Sequence, residues 1–173
     1  ESKYIELTLD SLSNCELSEL QKTLVIVVVN NEQDADLAII TDNLYTLNNL
    51  KIREDIFFLC TVDASSQGNS IVKKHAGVGM ARKIGMDLGL YFSNPSSLLF
   101  CLDADTIVSK NYLTEPQFYF NSKDKVALVV GFYHLMNQDH NLEIEIRKYE
   151  LFLQDTAKKL SATGSPFGYV SMG

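Results

Sequence analysis

Asp103-Ala104-Asp105 sets two carboxylates one residue apart, directly after the apolar run Leu98-Leu99-Phe100-Cys101-Leu102. Two such charges repel one another and are costly beside a core unless a cation or hydrogen bonds offset them. A divalent metal bridging them to a diphosphate would do so. Mg²⁺ and Mn²⁺ prefer hard oxygen ligands, commonly one or two carboxylates with phosphate and water completing the shell. The competing reading is a solvated strand-end turn. The tripeptide alone does not decide between them, because Asp34-Ala35-Asp36 repeats it. Context separates the two copies. The later one ends a run that reads as a central strand, at the edge where open α/β sheets bind ligands. The earlier one stands in a polar stretch ahead of a helix, where a carboxylate serves as N-cap or first-turn charge.

Asn30-Asn31 closes the first long apolar run and Asp63 closes the second. If the strands are parallel, both lie on the same carboxyl edge as Asp103. Their amide and carboxylate groups suit hydrogen bonds to a base or ribose, and equally suit turns. Arg82 falls opposite the apolar stripe of its helix, so a phosphate contact and a solvated arginine both remain open. Gly77-Val78-Gly79-Met80-Ala81-Arg82 is not a dinucleotide fingerprint, since arginine replaces the third glycine and no strand runs straight into the first. Lys73, Lys74 and Lys83 read as solvent-facing charges. His75 has no spaced partner for a metal.

The elements that must position these residues follow from hydrophobic pattern. Continuous apolar runs at Leu24 to Val29, Ile56 to Val62, Leu98 to Leu102 and Val126 to Phe132 predict strands covered on both faces, as in parallel sheets. The stripe Leu142, Ile146, Tyr149, Leu153, Ala157 and Leu160 predicts a helix. Val72, Ala76, Met80, Ile84 and Leu88 predict another, with glycines at 77, 79, 85 and 89 that imply a close backbone approach. Tyr4, Ile5, Leu9, Leu12 and Leu17 predict a short opening helix, and Leu37 to Leu50 a second. Asn94 to Ser97 and Asn121 to Asp124 read as turns. Strand and helix in alternation predict an open α/β sheet.

Composition narrows the partners. At 173 residues and 46% apolar content the chain suits one α/β domain spanning residues 1–173. A net charge of -7 excludes nucleic-acid backbone binding as the main activity, since that needs clustered cations. Cys15, Cys60 and Cys101 are too few for a disulfide framework and read as reduced core thiols. No run reaches the roughly 18 to 20 apolar residues of a membrane span. No export signal opens the chain. A cytoplasmic location is expected, and attachment of the full-length protein to a membrane stays open.

The order of features resembles family 2 glycosyltransferases of the GT-A fold. Tyr4 to Leu12 is similar to the helix after that family's first strand, and Thr23 to Asn31 to its second strand, with Asn30-Asn31 where an Asp-Asp pair is usual. Gly77 to Gly85 is similar to its G-x-x-x-A-R-N-x-G helix, with Lys83 for Asn. Phe100-Cys101-Leu102-Asp103-Ala104-Asp105-Thr106 resembles its metal-binding strand end, and Thr163 to Gly168 a segment that precedes its general base.

The resemblance implies a truncated three-layer α/β/α sandwich that binds a nucleotide-diphosphate sugar through Mn²⁺ or Mg²⁺, for inverting transfer to the hydroxyl of a saccharide or lipid-linked saccharide. Asp105 would be the main metal ligand, Asp103 a metal or ribose contact, and Arg82, Asn30, Asn31 and Asp63 nucleotide-sugar contacts. It also implies a first strand before Ser2 and a general base after Gly173, so that residues 1–173 alone are expected to be inactive. A sheet lacking that strand exposes an edge that invites self-association. A nucleotidyltransferase of similar fold and a non-catalytic interaction module are the alternatives.

Overall fold

A computed structural model of the chain describes residues 2–122, 126–165 and 168. These fall into two compact units, residues 1–122 and 123–173.

The first unit is built around a parallel strand pair, β1 (Leu24–Asn30) and β2 (Phe58–Ala64), in register from Leu24 opposite Phe58 to Asn30 opposite Ala64. Helix α1 (Ser2–Leu12) and the short α2 (Leu17–Leu20) precede β1, and α3 (Leu37–Ile52) forms the crossover between the strands. Both strands begin and end close to the expected limits, because each apolar run is long enough for one strand and stops at polar residues. Alternation along β1 turns its side chains to two covered faces, of which only Val29 is fully buried. Val25, Val27 and Val29 join a core with Ile5 and Leu9 of α1 and Leu47 and Leu50 of α3. Ile26 and Val28 face α4 (Val78–Phe92) instead. A side-chain carbon at Gly85 would stand 3.5 Å from Val28, and one at Gly89 would stand 3.7 Å from Ile26 and 3.3 Å from Leu99. These two glycines do mark a close approach. Gly77 and Gly79 have nothing within 4 Å and do not. The architecture is α/β, with helices on both faces of the strand pair.

The helix predicted from Val72 starts later. Val72 to Ala76 makes one isolated turn, closed by His75 N–H to the Val72 carbonyl at 2.8 Å. Gly77 then takes φ +127° and ψ 179°, a conformation incompatible with helix continuation, and α4 begins at Val78. An unpredicted helix, α5 (Glu115–Ser122), closes the unit.

Leu98 to Leu102, expected as a strand, forms no ladder. Its side chains pack without backbone pairing: Leu99 lies against Gly89, Leu102 packs on the core, and the Phe100 ring stands 5.3 Å from Tyr112, while Leu99 and Phe100 stay exposed. The thiols are free, but only Cys15 is buried; Cys60 is half-buried and Cys101 exposed, because its run is not a covered strand.

In the second unit, α6 (His140–Ala162) contains the predicted Leu142 to Leu160 stripe. Asp139 caps it, its Oδ1 accepting from the N–H of Asn141 at 2.9 Å and of Leu142 at 3.3 Å. Val126 to Phe132, also expected as a strand, is irregular and exposed, since no strand among the described residues of the unit offers it a ladder. Asn121 and Ser122 lie in α5 where a turn was expected; Lys123 and Asp124 of that turn, and Pro166 and Phe167 of the Thr163 to Gly168 segment, lie outside the described residues.

Candidate functional site

The parallel register puts Asp63 opposite Val29 and Asn30 opposite Ala64, so the two strand ends share one carboxyl edge. Their polar groups are used very differently. Asn31 is 8% exposed, and its Oδ1 accepts from Asn43 Nδ2 of α3 at 2.8 Å while its Nδ2 donates to the Glu32 carbonyl at 2.8 Å. The amide therefore fixes the chain as it leaves β1. Asp63 turns back on its own loop. Its Oδ1 accepts from Ser65 N–H at 3.0 Å, Ser65 Oγ at 3.1 Å and Ser66 N–H at 2.9 Å, and its Oδ2 from Asn69 Nδ2 at 3.3 Å. Burial pushes this carboxyl up, but hydrogen bonds from Ser66 and Ser65 outweigh it and hold the group well below its usual range. Asn30 is half-buried, and its Nδ2 makes one long contact, 3.5 Å, to the carbonyl of Gly77 at the start of α4.

One turn into α4, Arg82 Nη2 donates to Asp103 Oδ1 at 2.6 Å. The contact joins two candidates 21 residues apart in sequence and brings Asp103 against α4. The Asp103 hydrogen bond and charge raise the arginine's pKa further above its ordinary value. Ala104 lines a small cavity of about 50 Å³ together with Val27 to Asn30, Ile5, Asn43 and Thr46. That volume holds a water or two and is far below the roughly 300 Å³ of a small-molecule pocket. A nucleotide would have to lie over the open edge instead.

Two buried side chains that the sequence reading passed over hold this loop. Thr8 Oγ1 donates to the Ala104 carbonyl at 2.9 Å, and Ser11 Oγ accepts from Val108 N–H at 3.0 Å. Their signal was available: both are hydroxyl residues on the apolar face of α1, three apart, among Ile5, Leu9 and Leu12. Polar groups in such a position are hydrogen-bonded to something.

Asp105 is exposed, and among the described residues its carboxylate has no hydrogen-bond or ion-pair partner. The other tripeptide differs. Asp36 is the N-cap residue of α3, without a side-chain cap bond, and no cation approaches Asp34 or Asp36 among the described residues. No group of three or more His, Cys, Asp or Glu gathers into a metal-binding cluster among the described residues. Two exposed carboxylates fit a hard divalent cation in chemistry and number, provided that phosphate and water complete its shell.

The chain matches no family model, no curated protein and no solved structure. Among the described residues, no helix is long and apolar enough to cross a membrane.

Proposed function

We propose that this chain is the donor-binding part of a family 2-like glycosyltransferase of the GT-A fold, which binds a nucleotide-diphosphate sugar for inverting transfer to an acceptor hydroxyl. The observation that carries the reading is the Arg82–Asp103 contact beside the carboxyl end of β1, which couples the glycine-rich helix to the aspartate loop. Asp105 and Asp103 would hold Mn²⁺ or Mg²⁺, Arg82 would contact the diphosphate, and Asn30 would face the base or ribose. When bound, such a metal supplies neutralisation of the charge that develops on a departing diphosphate. Thr8 and Ser11 act earlier, by fixing the backbone from which Asp103 and Asp105 project. With no acceptor-activating base assigned among these residues, the isolated chain is expected to bind donor without transferring sugar.

A second reading, a binding module that kept the fold without the chemistry, is favoured by one observation. Asn31 and Asp63 are hydrogen-bonded within the protein, which leaves Asn30 as the more accessible polar group at the strand ends.

Thermal melting with UDP, GDP or CTP, each with and without Mn²⁺, tests the proposal. Ligand at about 100-fold over its dissociation constant stabilises by roughly 2.7 kcal/mol, several degrees for a domain of this size. A metal-dependent shift that vanishes in Asp105→Ala and survives in Asp34→Ala is the expected result. A shift lost in Asp34→Ala alone would move the site to the other tripeptide, and no shift with any nucleotide would favour the binding module.

A further inference from the structure

We propose that Arg82 is an exchangeable latch on Asp103: without ligand it occupies Asp103 Oδ1, and it transfers to the diphosphate when a divalent cation takes that carboxylate. This rests on the donor-site reading above. Metal and diphosphate would then bind cooperatively for a reason built into the protein, in addition to their direct contact with each other.

Three observations carry the exchange. Arg82 Nη2 and Asp103 Oδ1 are 2.6 Å apart, so a metal that takes this oxygen must displace a cationic partner. The two side chains are 42% and 53% exposed, so the pair is not locked by burial, and solvent-exposed ion pairs break at little cost. Asp105 has no such partner among the described residues. The two carboxylates of one tripeptide therefore enter the same site in different states, Asp105 open and Asp103 held. Arg82 is also rooted differently from its partner. It projects from a regular helix packed against β1, whereas Asp103 belongs to a loop pinned by Thr8 and Ser11, so the side chains can part while both backbones stay in place. A guanidinium released from a carboxylate at this point is matched to a phosphate oxygen by the same charge and hydrogen-bond geometry.

The latch predicts opposite signs for its two ligands when Arg82 is removed. In Arg82→Met, Mn²⁺ titrated alone and followed by electron paramagnetic resonance should bind about 1.5-fold to fivefold tighter than in the wild type, the range expected for loss of an exposed competing ion pair. Inorganic pyrophosphate at saturating Mn²⁺, measured by calorimetry, should bind more weakly, because its arginine is gone. A variant that was merely damaged would weaken both.

The gain in Mn²⁺ affinity should disappear when Arg82→Met is made in an Asp103→Asn background, where no latch exists to open. A gain of the same size in that background would show a general charge effect and sink the latch. So would unchanged Mn²⁺ affinity in Arg82→Met while Asp105→Ala abolishes binding; that result leaves the donor site standing. Failure of both the wild type and Arg82→Met to bind Mn²⁺ would remove the donor site and the latch together.

Discussion

Ser65, Ser66 and Asn69 all direct hydrogen bonds at the carboxylate of Asp63, and that geometry makes it a structural group with a measurable pH signature. Its folded pKa lies below the ordinary 3.8 because the bonds from Ser66 and Ser65 outweigh the burial that raises it. The unfolded chain therefore binds this proton first as pH falls. The stabilisation is fully present above the unfolded value near pH 4 and is lost progressively as pH drops toward the folded value. Asp63→Asn should cost about 1 to 2 kcal/mol at pH 7, since the neutral amide accepts more weakly and cannot accept at both ends. Urea denaturation should show the gap to the wild type narrowing between pH 7 and pH 3. A gap that stays constant would mean that the ionised carboxylate is not what the loop requires. The sequence could name Asp63 as a strand-end acid but not divide its two readings, because the loop that takes up its oxygens has no distinctive motif. Arg82 and Asp103 were each visible as candidates. Their pairing was not, since nothing in a sequence measures a contact across 21 residues between a helix and a loop.

At the scale of elements, the glycines of α4 separate into two kinds that composition cannot tell apart. Gly77 has φ +127° and ψ 179°, backbone that only glycine adopts readily, so Gly77→Ala should destabilise by about 1 to 3 kcal/mol. Gly79 has ordinary helical backbone and open space around it, so Gly79→Ala should stabilise by up to about 1 kcal/mol through helix propensity. Chemical denaturation of the two variants checks the order, and a stable Gly77→Ala protein would show that the helix start is not as described. The same distinction between local signal and tertiary partner explains which elements were legible. β1 and β2 each carry an unbroken apolar run, and α6 a helical stripe with a capping aspartate, within their own residues. Leu98 to Leu102 and Val126 to Phe132 carry equal apolarity, but a strand also needs a neighbour to complete its ladder. The first run is held by side-chain packing alone, with Leu99 and Phe100 still exposed, and the second has no ladder partner among the described residues of its unit. The turn at Asn94 was legible because its signal is local: its Oδ1 accepts from Ser96 N–H at 2.9 Å and its N–H donates to Ser97 Oγ at 3.0 Å.

At the scale of the molecule, one edge of β1 has no ladder among the described residues. Phe58 N–H donates to the Thr23 carbonyl at 3.0 Å and Asn31 N–H to the Ala64 carbonyl at 3.4 Å. In a parallel ladder this alternation turns the peptide groups of Leu24, Ile26, Val28 and Asn30 to the other side. There Asn43 Nδ2 reaches the Asn30 carbonyl at 3.4 Å, but Ile26 and Val28 have no backbone partner among the described residues. The edge sequence, Leu24 to Asn30, contains no charge and no proline, so it lacks the usual devices that discourage pairing. Opposing this is a net charge of -7, which keeps copies apart while the Debye length is roughly 30 Å at 0.01 M salt and much less once it falls to about 10 Å at 0.1 M. Self-association should therefore be weak at low salt and grow with ionic strength, the reverse of an assembly held by ion pairs. Leu24→Lys places a charge on the exposed start of this edge without entering the core, and should shift the salt dependence toward monomer. Light scattering across protein and salt concentration reads both effects. A wild type that stays monomeric at high salt would mean that the edge is covered by other parts of the protein, and an association that weakens with salt would place the contact on charged surface instead.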